Sequence, residues 1–223
     1  MGATKLIFAL WGVSDRLAPD LVARCAAAGA RAVHLNISDA VVATAMLRLT
    51  SFPAPVDAVV AVETAPDGDR DAITAAVAAA APECAGWLVR ERRPIEPPAV
   101  ALGERTPGLV NIAFLRRPAT LSYQRWLENW LVRHTPVAIE TQATFGYIQN
   151  QVIEPVTPDA PEIAAIVEEH FPIEALTDPH AFYGSGGDAG ELSRRIETMM
   201  RSVASFGADR DIDVVPTSGY RLL

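Results

Sequence analysis

The chain has 223 residues, of which 50% are hydrophobic and 21% are charged, a balance typical of a globular protein with a sizeable core. Its formal net charge of −8 and pI of about 5.0 offer no basic surface for a phosphate backbone, so we expect no nucleic-acid partner. Cys25 and Cys84 lie far apart and outside any C-x-x-C spacing, which predicts neither a zinc knuckle nor a disulfide framework. The opening apolar run is too short to span a bilayer and lacks a signal-peptide cleavage site, so we expect a cytoplasmic protein with no membrane partner.

Strand and helix signals alternate over the first 93 residues in the order β-α-β-β-α-β, which is the ferredoxin-like order. The predicted elements are a strand at Lys5 to Trp11, a helix at Asp15 to Ala28, a strand at Arg31 to Ile37, a short helix at Asp39 to Leu49, a strand at Val56 to Glu63, a helix opening at Pro66 to Asp69 and running to about Ala81, and a strand at Trp87 to Glu91. The first strand is apolar on both faces, so we expect it to be central.

A linker at residues 94–108, with four prolines and two glycines, precedes a second set of elements in the same order. These are a strand at Leu109 to Arg116, a helix at Ser122 to His134, strands at Phe145 to Ile153 and Ile163 to Phe171, a helix at Asp188 to Ser205, and a final strand starting at Ile212 to Val215. We therefore predict an α+β fold of two tandem ferredoxin-like units, residues 1–93 and 109–223, which pair their open sheet faces as a dimeric α+β barrel. The sequence leaves open whether the barrel closes within one chain or in a homodimer.

The helix predicted at Ser122 to His134 carries the strongest pattern in the chain. Trp126, Trp130 and His134 follow at i, i+4 and i+8, so they share one face. Pro136 should end the helix just after His134. The partial negative charge of that helix end would then raise the pKa of His134 and favour the imidazolium form, which suits proton transfer or stabilisation of an oxyanion. The alternative is a core histidine satisfied by the backbone or water.

Polar side chains alternate along the strands that follow this helix. Tyr147 and Gln149 share one face of their strand and Asn150 lies on the other, while Glu168 and His170 share a face of the next strand. Polar groups on faces otherwise meant for burial indicate a cavity with a few hydrogen-bonding anchors in an apolar wall. The alternative is that they face water at a sheet edge.

The segment at residues 172–187 has no counterpart in the first half. It carries Phe182, Tyr183, a histidine and flexible glycines, which is typical of a lid, although both aromatic residues could instead pack onto the neighbouring helix. Its Gly184 to Ala189 run fits the loose pattern G-x-G-x-x-A. A dinucleotide fingerprint must follow a strand directly, and this run follows a predicted helical turn, so we interpret it as a hinge and N-cap.

Taken together, these residues resemble the EthD family. The resemblance rests on Arg116-Arg117-Pro118, Leu121-Ser122, Trp126, Trp130, His134 and Pro136, followed by Tyr147-Ile148-Gln149-Asn150. It extends from Val110 to about Phe171, whereas the first half matches only in the order of its elements. The resemblance implies a dimeric α+β barrel in which residues 109–223 carry any site and residues 1–93 are a degenerate copy. Relatives bind small hydrophobic or aromatic molecules and include cofactor-independent monooxygenases, dehydratases and polyketide cyclases.

Two functions therefore compete. The first is an enzyme that acts on a small hydrophobic or aromatic molecule by oxidation, dehydration or cyclisation, without a cofactor. The predicted site consists of His134 as the catalytic residue and, for substrate binding, Trp126, Trp130, Tyr147, Gln149, Asn150, His170, Phe182 and Tyr183. The second is a non-catalytic accessory or ligand-binding protein of an oxidative degradation pathway. A metal or haem site at His134, His170, His180 and Glu168 lacks a supporting ligand spacing, so we expect no metal.

Overall fold

Eight strands form the framework of the computed structural model, which describes residues 3–14 and 17–223. They are β1 (Thr4–Trp11), β2 (Ala30–Ile37), β3 (Ala58–Thr64), β4 (Glu83–Ile95), β5 (Leu109–Leu115), β6 (Gly146–Pro155), β7 (Ala165–Phe171) and β8 (Asp213–Arg221). They close into one barrel in the order β1-β3-β2-β8-β5-β7-β6-β4, and all neighbouring strands are antiparallel. The predicted central place of β1 is confirmed, because it lies between β3 and β4.

Both halves of the chain contribute four strands in the same relative order: β4-β1-β3-β2 and β8-β5-β7-β6. The halves are joined along two seams, where β2 pairs with β8 and β4 pairs with β6. The barrel therefore closes within one chain, which settles the alternative that the sequence left open.

Helices cover the outside of the barrel. They are α1 (Leu17–Ala27), α2 (Arg70–Ala78), α3 (Tyr123–Leu127), a π-helical segment (Glu128–His134), α4 (Thr135–Thr141), α5 (Pro179–Tyr183) and α6 (Ala189–Ala204), with 3₁₀ turns at Ala40–Val42 and Ile173–Leu176. Asp69, Ser122 and Asp188 cap α2, α3 and α6 by accepting bonds from first-turn amides. Asp15, where the first helix was predicted to begin, lies outside the described residues. None of the described helices is long and apolar enough to cross a lipid bilayer.

Strand alternation fills one end of the barrel lumen with apolar side chains. Ile7, Trp87 and Ile112 are almost fully buried there. Phe52, from the loop before β3, closes this end, since its ring packs edge-on against Trp11 at 5.5 Å and against Phe114 at 5.2 Å between centroids. The other end of the lumen is polar.

The short helix predicted at Asp39 to Leu49 is wrong, because only Ala40–Val42 forms a single 3₁₀ turn. The rest of this segment finds its backbone partners elsewhere. Leu49 exchanges two hydrogen bonds with Val214, at 3.1 and 2.9 Å, and the amide of Met46 donates to the carbonyl of Leu176 at 2.8 Å. The first pairing holds Leu49 against β8, and the second joins Met46 to the 3₁₀ turn at Ile173–Leu176.

The prediction that Pro136 ends its helix is also wrong, since helical backbone continues through the π-helical segment into α4 as far as Thr141. In the π-helical pattern, residue 136 would donate to the carbonyl of Leu131, and proline has no N–H to give. That carbonyl instead accepts from Thr135 Oγ1 at 2.9 Å and from Arg92 Nη1 at 2.7 Å. Side chains therefore satisfy the group that the proline leaves open.

One buried cation connects the two halves across the lumen. Lys5 on β1 is 6% exposed, and its Nζ donates to Glu91 Oε2 at 2.6 Å and to Glu168 Oε1 at 3.0 Å. Burial opposes the charge on Lys5, but the two carboxylates outweigh it and raise its pKa. Since β4 and β6 lie between β1 and β7, the Lys5–Glu168 pair spans the barrel from one half to the other.

We expect Lys5→Met to lower the free energy of unfolding by roughly 3–5 kcal/mol, because it leaves two carboxylates in the lumen without their cation. Urea denaturation would measure this. The matched control is Arg70→Met, which removes an ion pair to Glu154 whose side chains are 45% and 51% exposed and which should cost at most about 1 kcal/mol. Equal losses for the two variants would contradict the role given to Lys5.

Candidate functional site

A cavity of about 370 Å³ occupies the polar end of the lumen, beyond the Lys5–Glu168 pair. Side chains at the ends of strands from both halves line it, together with residues 96–100 and Thr106. The segment predicted as a linker therefore covers this end of the barrel. It is attached to β8 by two backbone hydrogen bonds of 2.7 Å, from Gly103 to Arg221 and from Thr106 to Gly219.

His170 lies on the cavity wall with one nitrogen unused. It is 7% exposed, and among the described residues its Nδ1 has no hydrogen-bond partner. Burial lowers the pKa of the imidazole, while the carboxylate of Glu168 acts in the opposite direction. A Cβ on Gly146, which pairs with His170 across the sheet, would lie 2.9 Å from its Cδ2 and 3.0 Å from Pro97 Cα. The absence of a side chain at Gly146 thus makes room for the ring.

Glu168 is the centre of the polar cluster. It accepts from Lys5, and Asn150 Nδ2 donates to the same oxygen at 3.1 Å. Burial opposes the ionisation of Glu168, but Lys5 outweighs it and keeps the pKa of this carboxyl below its usual value. Asn150 is fully buried, and its Oδ1 has no partner among the described residues. The cluster therefore contains a stable carboxylate and two unsatisfied polar atoms, on Asn150 and His170.

The first half of the chain contributes two members that the sequence analysis missed, Lys5 and His34. His34 on β2 lines the cavity, and burial lowers its pKa against the influence of Glu168. One signal was present in the sequence: Lys5 has the same strand phase as Ile7, Ala9 and Trp11, so it interrupts a face otherwise meant for burial. A charge in that position needs a buried partner.

Most of the predicted site residues lie on the other side of the sheet, between its outer face and the helices. Trp126 and Trp130 are fully buried there, with ring centroids 5.1 Å apart. Trp126 Nε1 donates to the carbonyl of Phe206 at 3.0 Å, while Trp130 Nε1 has no partner among the described residues. Gln149 Nε2 donates to Thr135 Oγ1 at 3.0 Å and to the Tyr147 hydroxyl at 3.1 Å. These residues pack the helices onto the barrel.

His134 belongs to the same outer layer. Its Nδ1 lies 2.9 Å from Ser202 Oγ, and its ring centroid is 4.8 Å from that of Phe206. Burial lowers its pKa to about 4, whereas the sequence had predicted a raised pKa. That prediction is wrong because the helix continues past His134, which leaves no negative helix end beside it, and because burial disfavours the imidazolium.

The segment at residues 172–187 also packs against the outer layer. Phe182 is 3% exposed and stacks on Phe171 at 4.3 Å between centroids, and Tyr183 is adjacent to it at 5.1 Å. His180 Nδ1 lies 2.6 Å from Ser185 Oγ.

Of the nine predicted site residues, His170 therefore lines the cavity, Asn150 contacts the Glu168 cluster beside it, and the other seven lie across the sheet. Within the described chain, no three His, Cys, Asp or Glu side chains are grouped as a metal site.

Comparison with known proteins identifies the fold. No family model matches the chain, and no curated protein matches it. Among solved structures, an anthrone oxidase-like protein shares 7% identity over 99% of this chain and 93% of its own, with a TM-score of 0.59. A candidate monooxygenase from Lactobacillus acidophilus NCFM shares 10% identity over 100% of this chain and 95% of its own, with a TM-score of 0.50. The chain has the α+β fold of these monooxygenase-like proteins, and no family match supports the finer assignment to EthD.

Glu169 permits a test of the outer layer. Burial raises the pKa of its carboxyl from an ordinary 4.5 to about 7. The folded state therefore binds this proton more tightly than the unfolded state. The protonated carboxyl stabilises the folded state below pH 4.5, and this contribution is lost as the pH rises through 7. We expect Glu169→Gln to raise the free energy of unfolding by roughly 2–3 kcal/mol at pH 8 and much less at pH 5.

Urea denaturation at the two pH values would measure this difference. Glu197→Gln, an exposed glutamate on α6, is the matched control and should change little at either pH. An equal effect of Glu169→Gln at pH 5 and pH 8 would show that its carboxyl is not buried as described.

Proposed function

We propose that this protein binds a small hydroxylated aromatic molecule in the cavity at the polar end of the barrel and oxidises it with dioxygen, with His170 as the general base. The observation that carries the proposal is the unpartnered Nδ1 of His170 on the cavity wall, next to the carboxylate of Glu168. A buried imidazole is neutral, so it can accept a proton from a bound molecule.

The groups around the cavity favour a ligand whose buried end is uncharged. Lys5 pairs with Glu168 and Glu91, and Arg93 also pairs with Glu91, so two cations offset these two carboxylates. The two unsatisfied buried atoms, His170 Nδ1 and Asn150 Oδ1, belong to neutral groups. A ligand hydroxyl would donate to such acceptors without bringing a charge into the lumen. The volume of about 370 Å³ lies at the small end of the range for ligand pockets, roughly 300–1,000 Å³.

The proposed reaction converts the CH₂ group of an anthrone-type aryl ketone into a carbonyl: R₂CH₂ + O₂ → R₂C=O + H₂O. His170 removes one of the two protons from the carbon, and the electrons delocalise through the aromatic ring into the ketone as an enolate. The imidazolium that forms is stabilised by the Glu168 carboxylate. Dioxygen takes up the electrons and bonds to the carbon, and the imidazolium protonates the resulting peroxide. Loss of the second proton from the carbon then forms the carbonyl and cleaves the O–O bond, and the hydroxide and proton released make water. The name of the anthrone oxidase-like structural neighbour supports this choice of substrate class.

We also infer that the chain arose by duplication, with residues 1–93 and 109–223 as two ferredoxin-like units and the second unit related to EthD. The shared strand order supports this proposal. So does Asn36 on β2, which occupies the position equivalent to Asn150 on β6 by strand register. The pairing of the two sheets would then reproduce a dimeric α+β barrel within one chain.

We expect His170→Gln to lower the rate of dioxygen uptake with 1,8-dihydroxyanthrone at least about 100-fold, because it removes the base. An oxygen electrode would measure the rate, corrected for spontaneous oxidation without protein, and the absorbance of the quinone would confirm the product. His134→Gln is the matched control. Since its side chain lies across the sheet, the rate should stay within a few fold of wild type.

The reverse pattern, with activity lost in His134→Gln and kept in His170→Gln, would place the site between the helices and the sheet and refute the cavity proposal. Tight binding of the anthrone without dioxygen uptake above background would refute the catalytic part and assign the protein a non-catalytic ligand-binding role.

A further inference from the structure

Two arginines occupy equivalent positions in the two halves of the barrel. Pairing of β1 with β3 begins at Thr4–Thr64, and pairing of β5 with β7 begins at Leu109–Phe171. The next residues, Lys5 and Val110, are therefore equivalent. On the other side of each strand, Lys5 pairs with Val89 on β4 and Val110 pairs with Thr217 on β8. Four residues further along β4 and β8 lie Arg93 and Arg221, and both line the cavity.

Arg93 is fully paired with carboxylates of the protein. Its Nε lies 2.5 Å from Glu91 Oε1, its Nη1 lies 2.7 Å from Glu96 Oε1, and its Nη2 lies 3.6 Å from Glu63 Oε1. Hydrogen bonding to Glu91, followed by the attraction of the carboxylates, raises its pKa further. Each nitrogen of the guanidinium thus faces a carboxylate, so the charge of Arg93 is balanced within the protein.

Arg221 has none of these partners. By the same register, Gly219 stands where Glu91 would be, and His170 stands where Glu63 would be. Among residues 3–14 and 17–223, no carboxylate lies within ion-pair distance of Arg221, whose side chain is exposed at the cavity.

The space beside Gly219, where the first half has Glu91, is part of the cavity. The backbone of Arg221 is held in position by hydrogen bonds. Its carbonyl accepts from Gly103, and the residue pairs with His34 on β2. A side chain at position 219 would be crowded, since a Cβ there would lie 3.0 Å from Asn36 Oδ1 and 3.1 Å from Val110 Cγ2. As a glycine, residue 219 supplies no anion to Arg221.

We infer that Arg221 binds a carboxylate of the ligand, so that the molecule taken up is a hydroxylated aromatic acid. This inference rests on the proposed function, because it assumes that an aromatic molecule occupies the cavity. The acid group takes the part beside Arg221 that Glu91 takes beside Arg93. A guanidinium presents two parallel N–H donors to a carboxylate, which fixes the orientation of the ligand. The uncharged hydroxylated end then extends towards His170.

The test compares two probes that differ only in the acid: 1,8-dihydroxyanthraquinone-3-carboxylate and its methyl ester. Isothermal titration calorimetry with the full chain gives the dissociation constant of each. We expect the wild-type protein to bind the acid more tightly than the ester. Arg221→Gln should weaken binding of the acid about tenfold or more and change binding of the ester by less than about twofold. Arg221→Lys should keep part of the preference for the acid.

Arg201→Gln, which removes the same charge from the exposed side of α6, is the matched control and should bind both probes as the wild type does. Equal affinity of the wild type for the two probes, or equal loss of both in Arg221→Gln, would overturn the role of Arg221 and leave the cavity proposal intact. No binding of either probe to the wild type would overturn both proposals. Thermal melting of each variant verifies that it is folded.

Discussion

The ion pair between Lys5 and Glu168 is the interaction on which the rest of the structure depends. It spans the lumen between the two halves of the chain, with Glu91 as the second carboxylate on the same ammonium group. On one side of it the lumen is filled by aromatic and branched side chains and excludes water. On the other side lies the cavity. Because two carboxylates in a nonpolar lumen need a cation, this one side chain both joins the halves and makes a polar site possible.

The same cluster determines what chemistry the cavity can perform. Lys5 outweighs the burial of Glu168 and keeps the pKa of its carboxyl below the usual value, while burial lowers the pKa of His34 and His170. A neutral imidazole beside a permanent carboxylate can take up a proton and be stabilised once it has done so. The outer layer differs, since His134 and the two tryptophans there serve to pack helices onto the sheet.

The two halves repeat one arrangement of strands but differ in the side chains that reach the lumen. Asn36 and Asn150 are equivalent, as are Arg93 and Arg221. Where the first half has Glu63, the second has His170, and where the first has Glu91, the second has Gly219. These differences provide an unpartnered imidazole and a guanidinium without an ion pair among the described residues, with space beside them. The asymmetry of the cavity thus results from different side chains at equivalent strand positions.

The sequence by itself determined the order of the elements, the capped starts at Ser122 and Asp188, and the burial of Trp126 and Trp130, because local hydrogen bonding and periodicity decide these features. It also marked His170 and Asn150 as polar groups on buried faces. Only the tertiary structure decided that Lys5 and His34 join them, since residues more than 110 positions apart meet only when the barrel closes. The continuation of the helix past Pro136 likewise required Arg92 from another strand to satisfy the carbonyl of Leu131. Contacts between distant segments, which no local pattern encodes, separated the predicted site into two layers.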